Sequence, residues 1–437
     1  MKNNNPWTTN DERNHFPSAV EWWCAEAFFK TVEDNKKWSF NSSITVGCSK
    51  GGEVGSGVKT TLFNQENNTL FEYKNMKYHG RINNTQKDDR SKLKSLFKDS
   101  NGFYVKHAES YMDGIFPDYN LYLKDIKNKI FFDFKLHAKS KPHWVAQNIT
   151  DGWLPWGLGF YRYGFIPKLE LSGKLKIKNK TLNVNGIGYY EHVWGDWSFH
   201  NPLNPGINYN NAISIYTKLG GWWLKNHKIK IPKSIAFTSE NNPVGYDWAW
   251  AVLDNGWTIF YGNIMLWIME GPAAGTLILS KDDENYEEYC DIEFKYNIIK
   301  YSKKYDFCYP SELEVIARKN KEILHLHFKM TSECREFTQK FPKGKYWLAF
   351  VICEAPGEVN GYYFDGKKKI KLNGFCKMEP QRQISKLGHN SLKLDFLFPP
   401  KGLGTTLYLD SHFLRKKIKA NIQLIPRPKL NFNFKNI

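Results

Sequence analysis

The chain has 437 residues, with 62 lysines and arginines against 44 aspartates and glutamates, a formal net charge of +18. Charged residues make up 24% and aromatic residues 16%, which excludes a largely disordered chain and supplies bulk for large apolar cores. Because single hydrophobic cores stop growing at about 250–300 residues, the length predicts two domains.

Residues 18–38 are the first predicted element, and their pattern is ambiguous. They contain good helix formers, and Val20, Cys24, Ala27 and Phe28 follow a helical stripe. The pattern alone therefore favours a helix for this segment.

Most of the later elements alternate between apolar and polar residues, which is typical of half-buried antiparallel strands. Residues 130–138, 168–177 and 324–330 show this period of two. The predicted inward-facing residues are Ile130, Phe132, Phe134, Leu136 and Ala138, then Leu169, Leu171, Leu175 and Ile177, then Leu324, Leu326, Phe328 and Met330. Frequent turns between such strands predict an all-β protein built from sandwiches or barrels.

Helices are predicted at only two places. Residues 88–98 form one candidate, and residues 208–226 form a second that we expect to be interrupted at Gly220 and Gly221. Residues 201–243 lack alternation and contain four prolines, so they are predicted to link an N-terminal domain, 1–200, to a C-terminal domain, 244–437.

Neither a cofactor nor a metal site is expected. The seven cysteines are an odd number without a C-x-x-C pair, which fits neither a disulfide framework nor a zinc knuckle. His325 and His327 have the H-x-H spacing of metal sites, but they share the face opposite the apolar one, where we expect solvent.

We expect a soluble cytoplasmic protein. Peripheral association with an anionic membrane is left open. Residues 1–16 lack the apolar stretch of a secretory signal, and apolar runs such as residues 347–353 are far shorter than a spanning helix. The basic excess attracts anionic partners, and residues 222–225 (WWLK) are a candidate membrane contact. The basic residues are dispersed without a recognisable motif, so nucleic-acid binding is not expected.

Four segments resemble one known family. Residues 21–23 (EWW), 161–196 with the sequence YEHVWGD near its end, 245–262 and 361–375 are similar, in this order, to motifs of the carotenoid hydratase (hydroxyneurosporene synthase) family. Glu191 stands where the family usually has aspartate, and Lys371 and Asn373 replace a glutamate and a threonine of its closing motif. The resemblance implies two lipocalin-like antiparallel β-barrel domains with few short helices, and it makes residues 18–38 a strand.

The resemblance also implies hydration of an isoprenoid C=C bond, or a related cyclisation. Such a reaction needs an acid that keeps its proton in a dry pocket, aromatic faces that stabilise a cation, and a base for the attacking water. His192 and Trp194 match the family's H-x-W, which makes His192 the group that positions or deprotonates water and Trp194 the ring that faces the cation.

The proton donor is left open among three carboxyl groups. Tyr246 and Asp247 are the nearest match to the tyrosine and aspartate of the family's hydratases, and Glu191 and Asp196 are the other candidate acids. The aromatic residues expected to contact an apolar ligand are Trp23, Trp156, Tyr161, Tyr190 and Trp248.

Two other interpretations fit the same residues. A histidine among tryptophans at a strand end is often a hydrogen-bonded core residue, and Asp247 could lie on a solvated strand edge. Because many lipocalin-like barrels only bind, a non-catalytic carrier of apolar ligands is the alternative function.

Overall fold

The fold is all-β, as the sequence predicts. The computed structural model describes residues 6–82, 96–98, 102–198, 211–226, 233–237, 245–264, 274–303, 307–334, 339–341, 350–382, 390–411 and 414–436. They divide into two compact units, unit 1 with residues 1–222 and 280–287 and unit 2 with residues 223–279 and 288–437. The exact limits of the predicted linker stay a prediction.

Unit 1 is built from one antiparallel sheet that curls around its core. Its elements are α1 (Thr9–Glu12), β1 (Val20–Thr31), β2 (Lys37–Cys48), β3 (Glu53–Asn64), β4 (Leu70–Arg81), β5 (Phe103–His107), β6 (Ser110–Ile115), β7 (Asp118–Asp125), β8 (Ile130–Ala138), β9 (His143–Trp144), α2 (Gln147–Thr150), β10 (Trp153–Trp156), β11 (Gly159–Ile177) and β12 (Lys180–Asp196). The strand order is β4-β3-β2-β1-β12-β11-β8-β7-β6-β5, with β9 and β10 paired to β11.

Helix α3 (Ala212–Asn226) lies mostly in unit 1, and the remaining strands belong mainly to unit 2. These strands are β13 (Ser234–Phe237), β14 (Tyr246–Leu253), β15 (Thr258–Ile264), β16 (Ala274–Ser280), β17 (Tyr286–Tyr289), β18 (Asp291–Ser302), β19 (Phe307–Lys319), β20 (Glu322–Met330), β21 (Gln339–Phe341), β22 (Phe350–Ile352), β23 (Ala355–Phe364), β24 (Lys369–Arg382), β25 (Asn390–Leu397), β26 (Leu403–Ser411), β27 (Lys416–Ile425) and β28 (Lys429–Asn436).

Two sheets make up unit 2. The larger has the order β17-β16-β15-β14-β24-β23-β20-β19-β18, with β22 joined to β24 and β21 to β22. The smaller, called the C-terminal sheet below, has the order β13-β25-β26-β27-β28.

The predicted strand faces are confirmed where the alternation is regular. All five predicted inward residues of β8 and all four of β20 are buried, and their polar neighbours are half-buried or exposed. Residues 18–38 form β1 and the start of β2, so the family resemblance is right and the helical stripe is wrong.

Helix α3 confirms the second predicted helix but not its interruption. It continues through Gly220 and Gly221, each of which costs a helix about 1 kcal/mol relative to alanine. The side chains of Ala212 and Ile215 pack on Phe160 of β11, and tertiary packing of this kind overrides the weak local propensity. The other predicted helix, at 88–98, lies outside the described residues except for its last three.

The expectation that the cysteines form no disulfide framework is wrong for one pair. Cys334 and Cys353 form a disulfide in unit 2, with Cα atoms 5.6 Å apart. Sequence spacing does not determine pairing, because a turn can bring together cysteines at any separation. Cys48 and Cys376 are free thiols.

Removing this disulfide should destabilise unit 2. The bond closes a loop with a sequence separation of 19, for which the lost chain entropy corresponds to about 3 kcal/mol. We expect Cys334→Ser with Cys353→Ser to lower the free energy of unfolding by that amount in denaturant titrations under oxidising conditions. In reducing buffer the two proteins should unfold together, and equal stability in oxidising buffer would contradict the pairing.

Candidate functional site

The candidate site lies where β1 and β12 cross the core of unit 1. Trp23 of β1 is directly opposite His192 of β12, and Glu21 is opposite Trp194. The alternation of β12 ends at Gly188, and both of its faces are buried from Tyr189 to Gly195. The stretch that carries the H-x-W motif is therefore buried on both sides.

His192 is enclosed by aromatic rings. Its imidazole is 0% exposed and stacks on the indole of Trp23, with ring centroids 4.8 Å apart and planes 17° apart. The Trp194 indole lies 4.7 Å from it in a tilted arrangement. His15 also stacks on Trp194, at 3.8 Å and 5°, and its ring centroid lies 5.6 Å from that of His192.

The N-terminal segment, residues 7–17, closes this part of the barrel. Trp7 stacks on Trp144 at 4.8 Å, and its indole N–H donates to Glu12. Gly164 of β11 pairs with His192 and makes room for the Trp7 ring. A Cβ atom at Gly164 would lie 2.0 Å from that ring. His15 reaches the site from the same segment.

Hydrogen bonds fix the protonation of His192. Its Nδ1 lies 2.8 Å from the backbone carbonyl oxygen of Asp11, which can only accept, so Nδ1 carries the proton. Its Nε2 lies 2.9 Å from Oε1 of Glu21. Desolvation lowers the pKa of His192 to about 3, so the imidazole is neutral near pH 7 and Nε2 can accept a hydrogen bond.

Glu21 is the complementary member of this pair. Burial raises its pKa to about 8, so it is mostly protonated near pH 7 and donates its O–H to Nε2 of His192. The backbone N–H of His15 donates to both carboxyl oxygens, at 2.8 and 3.0 Å, and holds the group in place. The pair is thus a neutral carboxylic acid bonded to a neutral imidazole, with two indoles beside it.

His15, Glu21 and His192 are also the residues that could hold a metal ion. One ligand atom from each lies within 4.8 Å of the others, and Nε2 of His15 is buried without a hydrogen-bond partner among the described residues. A backbone carbonyl on the far nitrogen of His192 is the kind of contact that orients metal-binding histidines.

A second protonatable carboxyl lies next to this pair. Glu12 accepts hydrogen bonds from the Tyr119 hydroxyl and the Trp7 indole, and desolvation raises its pKa to about 7. The Tyr119 ring stacks on Tyr190 at 4.5 Å. The hydroxyl of Tyr190 is buried and has no hydrogen-bond partner in the described part of the chain. It can therefore donate a hydrogen bond to a guest molecule or accept one from it.

Glu191 faces away from His192, on the other side of β12. Its carboxylate accepts hydrogen bonds from the Trp22 indole at 2.8 Å, from the Tyr189 hydroxyl at 3.0 Å and from the Tyr163 hydroxyl. Three donors satisfy a carboxylate, which is how buried acidic groups with structural roles are held.

The other predicted residues of unit 1 lie near the end of β12. Asp196 accepts the backbone N–H of Ala19 at 3.3 Å, and burial raises its pKa. Tyr161 packs on Trp197 and Trp156, with ring centroids 5.4 and 6.4 Å away. Of the candidate acids and ligand contacts, Trp23 and Tyr190 join His192 and Trp194 on the inner face.

Tyr246, Asp247 and Trp248 belong to unit 2, on β14. Asp247 is buried and forms an ion pair with Arg382 at 2.9 Å, and it accepts a hydrogen bond from Tyr296. Tyr246 is on the opposite face, where its hydroxyl donates to Glu379 at 2.6 Å, and Trp248 lies edge-on to Phe260. The two residues nearest to the family's Tyr and Asp thus point to opposite sides of their strand.

His325 and His327 line a partly exposed polar groove of unit 2, as the alternation predicts. Each is paired with a glutamate of the neighbouring strand, His325 with Glu314 and His327 with Glu312.

Glu21, His15 and Glu12 were not predicted as site residues. Glu21 had a usable signal, because it is a lone carboxyl on the inward face of β1, which otherwise carries Trp23, Ala25, Ala27 and Phe29. His15 and Glu12 come from a segment without periodicity, so their position depends on tertiary packing alone.

Comparison with known proteins gives the fold. No protein-family model and no curated protein matches the chain. Kievitone hydratase from Nectria haematococca is 12% identical, with a TM-score of 0.55 over 87% of this chain and 94% of the other. A protein provisionally assigned as AttH from Nitrosomonas europaea is 14% identical, with a TM-score of 0.53 over 84% and 94%. The predicted double lipocalin-like fold is confirmed. Identities this low show the fold alone.

The raised pKa of Glu21 predicts a pH-dependent cost to stability. In the unfolded chain the carboxyl ionises near its ordinary pKa of 4.5, but in the fold it keeps its proton to about pH 8. The folded state therefore binds more protons between these values, and stability falls as the pH rises, by at most about 1.4 kcal/mol per pH unit.

The test compares Glu21→Gln with the wild type by denaturant unfolding across this pH range. The advantage of the wild type over the variant should shrink as the pH rises from 4.5 to 8. His192 acts in the opposite sense, since its lowered pKa costs stability as the pH falls from 6.5 to 3, and it does so in both proteins. A pH-independent difference would mean that Glu21 is ionised in the fold.

Proposed function

We propose that unit 1 catalyses the hydration or cyclisation of an apolar, isoprenoid-like substrate by protonating a C=C bond. The observation that carries this proposal is the buried carboxyl of Glu21, which lies 2.9 Å from Nε2 of His192. Burial raises its pKa to about 8, so it keeps its proton near pH 7. A carboxylic acid that stays neutral at pH 7 because it is desolvated is the kind of acid that this chemistry requires.

Glu21 fits the role of acid better than Asp247 and Glu191, two of the three carboxyls considered from sequence. Asp247 is held in an ion pair by Arg382, and Glu191 accepts three hydrogen bonds on the outer face of β12.

The proposed reaction begins with transfer of the Glu21 proton to one alkene carbon, which breaks the π bond and leaves a tertiary cation. The face of Trp194 that His15 now covers stabilises this cation, since aromatic rings attract cations that lie over them. Water then attacks the cation, its oxygen forms the C–O bond, and one of its protons returns to the Glu21 carboxylate through Nε2 of His192. The sum is addition of H and OH, and the enzyme regains its starting state.

Cyclisation follows from the same first step. A second C=C bond of the substrate attacks the cation in place of water, and loss of a proton from a neighbouring carbon to the Glu21 carboxylate ends the reaction. Which outcome occurs depends on whether water reaches the cation.

We propose that the substrate binds where side chains of the N-terminal segment now close the barrel. Trp7 and His15 occupy the space beside Trp144 and Trp194, so binding requires this segment to move outward. A carrier function needs the same movement, and turnover distinguishes the two.

The comparisons support the proposal through one name. A solved structure with the same fold is named kievitone hydratase, so this fold accommodates a hydration reaction in that protein. Fold alone does not determine function, and the proposed function depends on the Glu21–His192 pair.

The decisive test is isotope incorporation. Incubation with prenyl alkenes in heavy-oxygen water should give a labelled tertiary alcohol, and in D₂O the product should gain one carbon-bound deuterium for hydration and for cyclisation alike. Glu21→Gln should lower turnover at least about 100-fold, since a general acid contributes this much. Turnover by the wild type should fall as the pH rises through about 8, where Glu21 loses its proton.

Glu26→Gln is the matched control. It changes a buried carboxyl of the same strand to an amide, on the face opposite Glu21, and should turn over normally. Unaltered substrate that stays bound in both proteins would favour the carrier. A stoichiometric divalent cation that is lost in Glu21→Gln would show that His15, Glu21 and His192 bind a metal, and would contradict the acid role.

A further inference from the structure

The C-terminal sheet separates apolar and polar residues onto two faces. In the hairpin of β27 and β28, called the basic hairpin below, Ile418 pairs with Phe434, Ala420 with Phe432 and Ile422 with Leu430. The same face continues onto β26 and β25, where Leu409 pairs with Ile418 and Leu392, and Leu407 with Ala420 and Leu394. Asn421, Asn431, Asn433 and three lysines, Lys417, Lys419 and Lys435, occupy the other face.

The apolar face of the basic hairpin is exposed. Leu430, Phe432 and Phe434 are 59%, 55% and 61% exposed, and Leu424 on the neighbouring strand is 55% exposed. The rings of Phe432 and Phe434 stack on one another, with centroids 6.0 Å apart. Soluble proteins rarely leave a contiguous apolar surface of this kind without a partner.

The charge of the same segment is uniformly positive. After Asp410 the chain contains no aspartate or glutamate. Its basic residues there are Arg415, Lys416, Lys417, Lys419, Arg427, Lys429 and Lys435. Lys416 lies at the end of the apolar face, Arg427 and Lys429 lie at the turn, and long basic side chains of this kind can extend from an apolar surface to charged headgroups.

We propose that the basic hairpin docks on an anionic lipid bilayer, with its apolar face in the interfacial region and Lys416, Arg427 and Lys429, at the end and the turn of the hairpin, at the headgroups. An exposed apolar face bordered by cations matches the two components of such a surface. A second copy at this face would bring two uniformly cationic hairpins together, and a nucleic acid would leave the apolar face in water.

This surface differs from the one that the sequence suggested. Residues 222–225 lie at the end of α3, where Trp223 is 7% exposed and Leu224 is 52% exposed. No helix of the described residues is long and apolar enough to span a membrane.

The test is flotation of the full chain with vesicles of phosphatidylcholine, with and without phosphatidylglycerol. We expect binding to the anionic vesicles only, weakened by added salt. Phe432→Ser with Phe434→Ser should lower vesicle affinity at least about tenfold, because two aromatic side chains lose their apolar burial. Both side chains are exposed, so the fold should be unchanged, which circular dichroism checks.

Asn431→Ser with Asn433→Ser is the matched control. It changes two exposed residues of the same strand on the opposite face and should float like the wild type. Absence of binding, equal binding to neutral vesicles, or unchanged binding of the phenylalanine variant would overturn the proposal. So would a lipid-free dimer that the phenylalanine variant converts to monomer, since the face would then belong to a second copy.

Discussion

Desolvation of one carboxyl group is the constraint on which the site depends. Glu21 is on a strand whose inner face is otherwise apolar, and burial raises its pKa to about 8. It therefore keeps its proton and shares it with His192, whose own proton is fixed on the far nitrogen by the Asp11 carbonyl. In water near pH 7 the carboxyl would lose its proton, and the surrounding indoles exclude that water.

The double burial of β12 explains how two polar clusters with different properties share one strand. Successive side chains of a strand point to opposite faces, so His192 and Glu191 are adjacent in sequence but separated by the sheet. On the outer face, tyrosine and indole donors surround Glu191 and stabilise it as a carboxylate. On the inner face, the partner of Glu21 is an acceptor, which stabilises the acid. Desolvation keeps the proton on Glu21 although the backbone N–H of His15 donates to its carboxyl oxygens.

Sequence predicted the parts of the fold that depend on regular burial. Strands β8 and β20 face the core on one side only, so their alternation is visible in the residues. Strand β1 was ambiguous because most of its residues are buried on both faces and the polar positions that would reveal a period of two are lacking. The family motifs resolved it, and they also located His192, Trp194 and the inward-facing Tyr190.

The rest of the site comes from long-range packing that no local pattern encodes. His15 and Glu12 reach the core only because the N-terminal segment folds over the end of the barrel, between Trp144 and Tyr119. The disulfide between Cys334 and Cys353 has the same origin, since its pairing depends on where the strands of unit 2 place two cysteines.

The two units place a buried carboxyl at similar positions and treat it differently. Glu21 is on β1, which pairs with the long strand β12, and Asp247 is on β14, which pairs with the long strand β24. In unit 2 the partner is the guanidinium of Arg382, which is always charged, so the pair is ionic and stabilises the end of its sheet. In unit 1 the partner is an imidazole that burial keeps neutral. One fold thus contains an ion pair in one unit and, in the other, a carboxyl that desolvation keeps protonated.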